Sequence, residues 1–300
     1  MTAPDVPAPA PTATPLRPVE WLILGYSTVV VGVILLRTPA VPGRPYLLVS
    51  HTLIYALLWL FTRPGLGAVG RGIREAAPLI LLFGLYSELD LLNARIPMVH
   101  DALIQQWELA IFGWEPAREW WQSHPSAFWS FVLHGAYISY YLILSAPAAV
   151  LAVRGDIAGL RRFVLMVIGS FVFCYLFFIF FPVAGPYYAF PHPTGAFVDN
   201  AMARIVYGAL ESGSSYGAAF PSSHVAATIG ALCASWRASR RLGLAVLVPA
   251  ALLTVSVVYC QMHYAIDALA GLAAGFAVAG VVLALERRTA VGHPAGPGAA

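Results

Sequence analysis

Eight apolar stretches, at 20–36, 46–61, 76–93, 126–152, 161–182, 221–236, 242–262 and 265–285, constrain this chain more than anything else in it. Each comes near the roughly 20 residues that a helix needs to cross hydrocarbon, and tilt absorbs the differences. Backbone inside a bilayer must satisfy its own hydrogen bonds, so the stretches read as helices and the fold class as an all-α polytopic membrane bundle. Charged residues make up only 10% of the chain, against roughly 25% in a soluble domain. Cys174, Cys233 and Cys260 are an odd set in apolar surroundings, which excludes a disulfide scaffold. The first stretch reads as a retained helix rather than a cleaved signal, because Pro/Ala-rich sequence instead of a basic cluster leads into it. The expected division is a disordered tail at 1–19, two additional helices at 20–75, a core at 76–286 and a second disordered tail at 287–300, both tails being too poor in large apolar residues to fold.

All 17 basic residues are arginine, so a lysine Schiff base or a lysine phosphate clamp is excluded. The net charge of +3, with no basic face, gives no reason to expect nucleic acid as a partner. With eight spans both termini share one side, and 12 arginines fall there; only Arg37, Arg44, Arg95, Arg118 and Arg204 fall opposite. The positive-inside rule then makes the termini cytoplasmic, and the connections 94–125 and 183–220 face the periplasm or exterior. The Ala/Gly/Pro/Arg bias without lysine suits a GC-rich bacterial genome, hence a bacterial cell membrane.

Between the third and fourth stretches, Asp101–Phe112 has helical periodicity, with Leu103, Ile104, Trp107 and Ile111 on one face, Gln105, Gln106 and Glu108 elsewhere, and Gly113 as a stop. Five of the eight tryptophans cluster in or near it, as an interfacial helix in an aromatic belt would have them. That helix reads as a membrane anchor or as a lip that admits a lipid sideways.

Two segments carry candidate chemistry. Phe220-Pro221-Ser222-Ser223-His224 opens the sixth stretch with a proline and two serines able to cap free amides. A helix start is an anion site, and His224 would stand beside the anion. The second segment, His263-Tyr264-Ala265-Ile266-Asp267, puts a histidine and an aspartate on one helical face, so that the carboxylate can fix the imidazole tautomer. An ordinary helix start and a structural ion pair are the competing readings. From His224 the chain runs down to Arg237 and back up to His263, which returns both histidines to one membrane face.

Taken together, these segments resemble the type 2 phosphatidic acid phosphatase (PAP2) superfamily. Pro221-Ser222-Ser223-His224 is similar to its Pro-Ser-Gly-His motif and His263-x-x-x-Asp267 to its terminal motif. Phe181-Pro182-Val183-Ala184-Gly185-Pro186-Tyr187-Tyr188 and Phe112-Gly113-Trp114-Glu115-Pro116 resemble the branch that contains inositol phosphorylceramide synthase and its bacterial relatives. Residues 76–285 carry the likeness. The chain departs from the pattern in having no lysine, Phe181 before Pro182, Val257 in an arginine's register and Ser223 in place of glycine.

The resemblance implies a phosphatase or phosphotransferase that acts on a lipid-linked phosphate ester. His263, oriented by Asp267, would be the nucleophile and His224 the proton donor; no cofactor or metal is called for. Ser222, Ser223, Tyr187, Tyr188 and Arg204 are the expected phosphate-binding residues in place of the missing basic clamp. An acceptor alcohol is the possible second partner beside the membrane lipid. The readings from other classes are a catalytically inactive superfamily member, a headgroup transporter or scramblase, and a metal-dependent hydrolase that would draw on His192.

The arginine distribution makes the topology testable. In a variant lacking the native cysteines, a cysteine at Ser214 is expected to react with an impermeant thiol reagent on intact cells, and one at Ser239 is not. The opposite labelling pattern would invert the bundle.

Overall fold

Local punctuation sets the helix ends. In the computed structural model, which describes residues 14–37, 40–96 and 98–291, Pro18 and Pro116 each stand at the first position of a helix, where the missing N–H costs nothing. Asp156, Asn200 and Ser239 cap helices by accepting the amides of Gly159, Ala203 and Leu242. Gly113 ends a helix at φ +76°, a conformation that glycine alone adopts without a Cβ penalty.

The resulting helices are α1 (Pro18–Leu36), α2 (Arg44–Phe61), α3 (Ala68–Asn93), α4 (Asp101–Phe112), α5 (Pro116–Ser123), α6 (Ala127–Ile138), α7 (Tyr140–Val153), α8 (Ile157–Phe180), α9 (Pro186–Ala189), α10 (Ala201–Gly213), α11 (Ser223–Ala238), α12 (Arg240–Tyr259) and α13 (Ala265–Val291). The described residues form no sheet, only an isolated bridge between Val183 and Ala218. The fold is all-α, as the apolar periodicity predicts. Residues 1–13 and 292–300, which hold most of the two expected tails, lie outside the described residues.

Each of the eight expected spans is occupied by helix, with two differences in character. α1, α2, α8, α12 and α13 are long and apolar enough to cross a membrane, and α6 and α7 together make a sixth span bent by 43°. α3 carries Arg71, Arg74, Glu75, Glu88 and Asp90 along its length, and α11 has only 16 residues. Neither meets the same standard. Arg74, Glu75 and Glu88 of α3 pair with other parts of the bundle, and Gly230 of α11 lies against the Met166 carbonyl oxygen of α8.

Ion pairs tie one end of the bundle together. Arg74 makes a buried two-pronged pair with Glu20, both bonds 2.6 Å long, while Glu75 bridges Arg17 (2.9 Å) and Arg161 (2.6 Å), and Arg162 reaches Glu286 (2.7 Å). The starts of α1, α3 and α8 and the end of α13 meet there. At the opposite end the Arg37 guanidinium donates to the carbonyl oxygens of Leu92 and Ile179, capping the last turns of α3 and α8. Deeper inside, Glu88 accepts from the Tyr26 hydroxyl (3.0 Å) and lies 2.9 Å from His51 Nε2, which joins the first two helices to α3 through buried polar atoms.

α11 is the central post, packed on α8, α12, α13 and α7. Small residues set the spacing on one side of it. A Cβ at Gly271 would come within 2.6 Å of the Ser222 carbonyl oxygen, and one at Gly275 within 2.6 Å of the Ala226 carbonyl oxygen. This pair, four residues apart, lets α13 lie directly against the backbone of α11. Gly275→Leu is therefore expected to lower the unfolding free energy by about 1–3 kcal/mol through overpacking. Gly280→Leu, where a Cβ would meet nothing within 4 Å, should change it by less than about 0.5 kcal/mol. Thermal and denaturant unfolding of the detergent-solubilised protein measures both.

Candidate active site

The close approach of α11 and α13 joins the two candidate segments at their first turns. The Ser222 amide donates to the Asp267 carbonyl oxygen (2.9 Å), and the Ser222 hydroxyl accepts from the Val225 amide (3.4 Å). Ser222 and Ser223 are buried. The first intrahelical bond of α11 runs from Ala226 to Ser222, so the Ser223 and His224 amides have no acceptor within the helix.

The turn that carries His263 is held by its own backbone. The amides of Met262 and His263 both donate to the Val257 carbonyl oxygen, at 2.9 and 2.8 Å. Gln261 stands at φ +60°, an uncommon conformation for a non-glycine residue. Its side chain stays in place by accepting from Trp121 Nε1 (2.8 Å) and donating to the Pro191 carbonyl oxygen (3.0 Å). His263 Nδ1 then lies 3.4 Å from Asp267 Oδ2, and the same oxygen accepts the Tyr264 amide at 2.9 Å. Burial pushes the His263 imidazole down to about 4 against the pull of a hydrogen bond with the Ala219 backbone, so the ring is neutral near pH 7.

The His224 and His263 rings are 5.7 Å apart, centroid to centroid. His224 packs between Tyr137 (5.1 Å) and Tyr140 (4.6 Å), and the Tyr137 hydroxyl is 3.4 Å from His224 Nε2. His224 Nδ1 has no hydrogen-bond partner among the described residues. Sequence reasoning missed both tyrosines because 126–152 reads as one straight span, whereas the helix breaks at Ser139 between them. The signal available was Tyr-x-x-Tyr itself, a spacing that puts two aromatic rings on one side of the chain.

The structure brings Ser222, Ser223, His224, His263 and Asp267 together, but not the other expected phosphate ligands. Arg204 points outward from α10, 66% exposed, and pairs with Asp199 at 2.8 Å. Ala203, Val206 and Tyr207 take the inner positions of that helix, which leaves the arginine on its wet side. Tyr187 stacks on His192 (4.5 Å), and the Tyr188 hydroxyl bonds the Ser214 hydroxyl (2.7 Å). Both are engaged within the 183–220 connection. Val257, in the register where the superfamily pattern has arginine, is fully buried.

α4 turns Asp101, Ile104 and Glu108 inward. Of the apolar face read from the sequence, Ile104 is buried, while Leu103, Trp107 and Ile111 are 36–62% exposed. Asp101 accepts the amides of Ala184 and Gly185 (2.8 Å each) and the Tyr264 hydroxyl (3.0 Å), and Gln105 donates to that hydroxyl (2.9 Å). The helix thus clamps the 183–186 loop to the histidine turn.

A helical membrane bundle with two histidines and an aspartate meeting at paired helix starts defines the class. The PAP2 superfamily model matches residues 102–283, more than half of the chain, and the chain belongs to that superfamily. No curated protein and no solved structure matches it. Membership suggests phosphatase or phosphotransferase activity.

Because Arg204 is solvent-exposed and already paired, Arg204→Ala is expected to change kcat/KM less than about twofold, as for other exposed ion pairs. A loss of tenfold or more would show that the arginine swings over the site when substrate binds.

Proposed function

We propose that the protein is a membrane phosphotransferase or phosphatase that acts on a lipid-linked phosphate ester through a phosphohistidine on His263, with its site on the extracytoplasmic face. The observation that carries this reading is the pairing of two histidine rings 5.7 Å apart with Asp267 on Nδ1 of one of them. Asp267 leaves Nε2 of His263 as the nucleophilic atom. In the first step Nε2 bonds to phosphorus, the bond from phosphorus to the leaving oxygen breaks, and His224, entering as imidazolium, gives that oxygen a proton and becomes neutral. In the second step water or an acceptor alcohol attacks the phosphohistidine, His224 takes the proton of the attacking hydroxyl, and Nε2 is released. The equatorial phosphate oxygens would lie against the Ser223 and His224 amides and the two serine hydroxyls.

Tyr137 bears on the donor. In the protonated ring that serves as the acid, Nε2–H points to the Tyr137 hydroxyl oxygen, and the proton on Nδ1, the nitrogen without a partner among the described residues, is the one free to leave. A lipid substrate fits a site placed at the helix ends of a membrane bundle, close to the exposed Trp107 and Trp114. The resemblance to the inositol phosphorylceramide synthase branch favours transfer between alcohols over simple hydrolysis.

The test is turnover of a panel of lipid phosphates and phosphodiesters by the purified protein, with and without acceptor alcohols and with EDTA. His263→Ala is expected to be inactive and Asp267→Asn strongly impaired. The double variant should be no worse than His263→Ala, since residues that act as a unit give non-additive losses. Acid-labile, base-stable label from 32P-substrate on the wild type, absent in His263→Ala, identifies the intermediate. Near-normal turnover by folded His263→Ala would remove the mechanism.

A further inference from the structure

Glu108 has no part in the chemistry above, yet it is buried one helix away from it. Its side chain is 0% exposed, Oε1 accepts the Ala265 amide, and Oε2 has no hydrogen-bond partner. Ala265 is the first residue of α13 and Asp267 stands in the same turn. Three carboxylates therefore converge on one helix start: Asp101 on the Tyr264 hydroxyl, Asp267 on the Tyr264 amide and Glu108 on the Ala265 amide. Asp101 and Asp267 fix Tyr264, and only Glu108 fixes the first amide of α13. A bond from a charged acceptor to a helix-start amide is about twice as strong as one from a neutral acceptor.

Resting on the phosphohistidine reading, we propose that Glu108 is a positioning residue whose ionised carboxylate holds the first turn of α13, and through it Asp267 and His263, in the arrangement that phosphoryl transfer uses. The groups that act on it are Asp267 and the Ala265 and Ile266 amides from α13 and Glu115 from the start of α5, while Asp101 from α4 itself reaches the same helix start through Tyr264. Burial, assisted by the negative charges of Asp267 and Glu115, pushes the Glu108 carboxyl up to about 7 against the pull of the two amides. The ionised form is lost as pH falls through that value, so activity should fall with it.

Two measurements on the full chain test this. The first is kcat/KM on dioleoyl phosphatidic acid in detergent micelles between pH 5.5 and 8.5. The wild type is expected to show an acid limb near pH 7. Glu108→Gln keeps an acceptor for the Ala265 amide but cannot ionise, so it should match the wild type at the acid end, lie about tenfold lower at pH 8 and lack the limb. Glu108→Asp, shorter by one methylene, should keep a limb below a reduced plateau. The second is NMR of ring-labelled histidine, with the His263 signal identified by its loss in His263→Asn. The wild-type signal should inflect near pH 7, apart from the ring's own titration, and Glu108→Gln should remove that inflection. A wild-type His263 signal flat near pH 7, or a Glu108→Gln profile that keeps the limb, overturns the proposal. No turnover at any pH of dioleoyl phosphatidic acid or of the phosphodiester and acceptor panel, beside an inflection that follows Glu108, would sink the phosphohistidine reading and leave the positioning role standing. If Glu108→Gln fails to fold, the wild-type titration decides alone.

Discussion

The backbone contact between the first turns of α11 and α13 is the interaction on which the site depends. One hydrogen bond, from the Ser222 amide to the Asp267 carbonyl oxygen, ties the two helix starts, and it can form only because Gly271 and Gly275 remove the side chains that would hold the helices apart. In lipid the hydrophobic effect gives little net drive for helix association, so close van der Waals packing and interhelical hydrogen bonds must supply it. Here the same packing that assembles the bundle sets the 5.7 Å spacing of the histidine rings. Stability and site geometry are one construction at this point, and a side chain at either glycine would disturb both.

The scarcity of charge explains where the arginines went. At one end Arg17, Arg74, Arg161 and Arg162 neutralise Glu20, Glu75 and Glu286. At the other, Arg37 caps α3 and α8, Arg118 lies 5.5 Å over the Phe190 ring beside Glu115, and Arg204 pairs with Asp199. In a low-dielectric interior an unpaired cation is costly, and these arginines are committed to helix ends and carboxylates. The candidate site has no arginine side chain among the contacts of its histidines. Its polarity comes from helix-start amides, hydroxyls and tyrosines, groups that can be buried without a counter-ion.

What the sequence made legible follows from periodicity and spacing. Runs of apolar residues located the spanning helices, and the Asp101–Phe112 pattern with Gly113 as its stop matches α4 residue for residue. The convergence of His224 with His263 was legible because the α11–α12 hairpin returns the chain to the same end. Three features were not. The break at Ser139 has no proline or glycine to mark it, so Tyr137 and Tyr140 were hidden inside an apolar run. The buried carboxylates of α4 were not legible because hydrophobicity identifies a buried face only when burial is apolar; Asp101 and Glu108 are buried for the amides they accept. Arg204 was placed by elimination, as the only base in its loop, and charge content alone cannot tell an inward arginine from one paired in solvent with Asp199.

α4 also bears on the surroundings of the candidate site. Its outward residues Trp107, Leu103 and Ile111 are exposed along the side opposite the carboxylates, so one short helix presents an apolar surface outward and an acceptor surface to the histidine turn. Trp107 meets Phe220 edge-on at 6.1 Å, directly before the Pro221-Ser222 start of α11. The same helix therefore touches both candidate segments, α11 through an aromatic contact and α13 through carboxylates. An anchor that served the membrane alone would need neither contact. One helix of 12 residues thus holds the histidine turn by buried hydrogen bonds and turns an apolar side outward, so part of the bundle's apolar exterior and the geometry of the candidate site are built from the same segment.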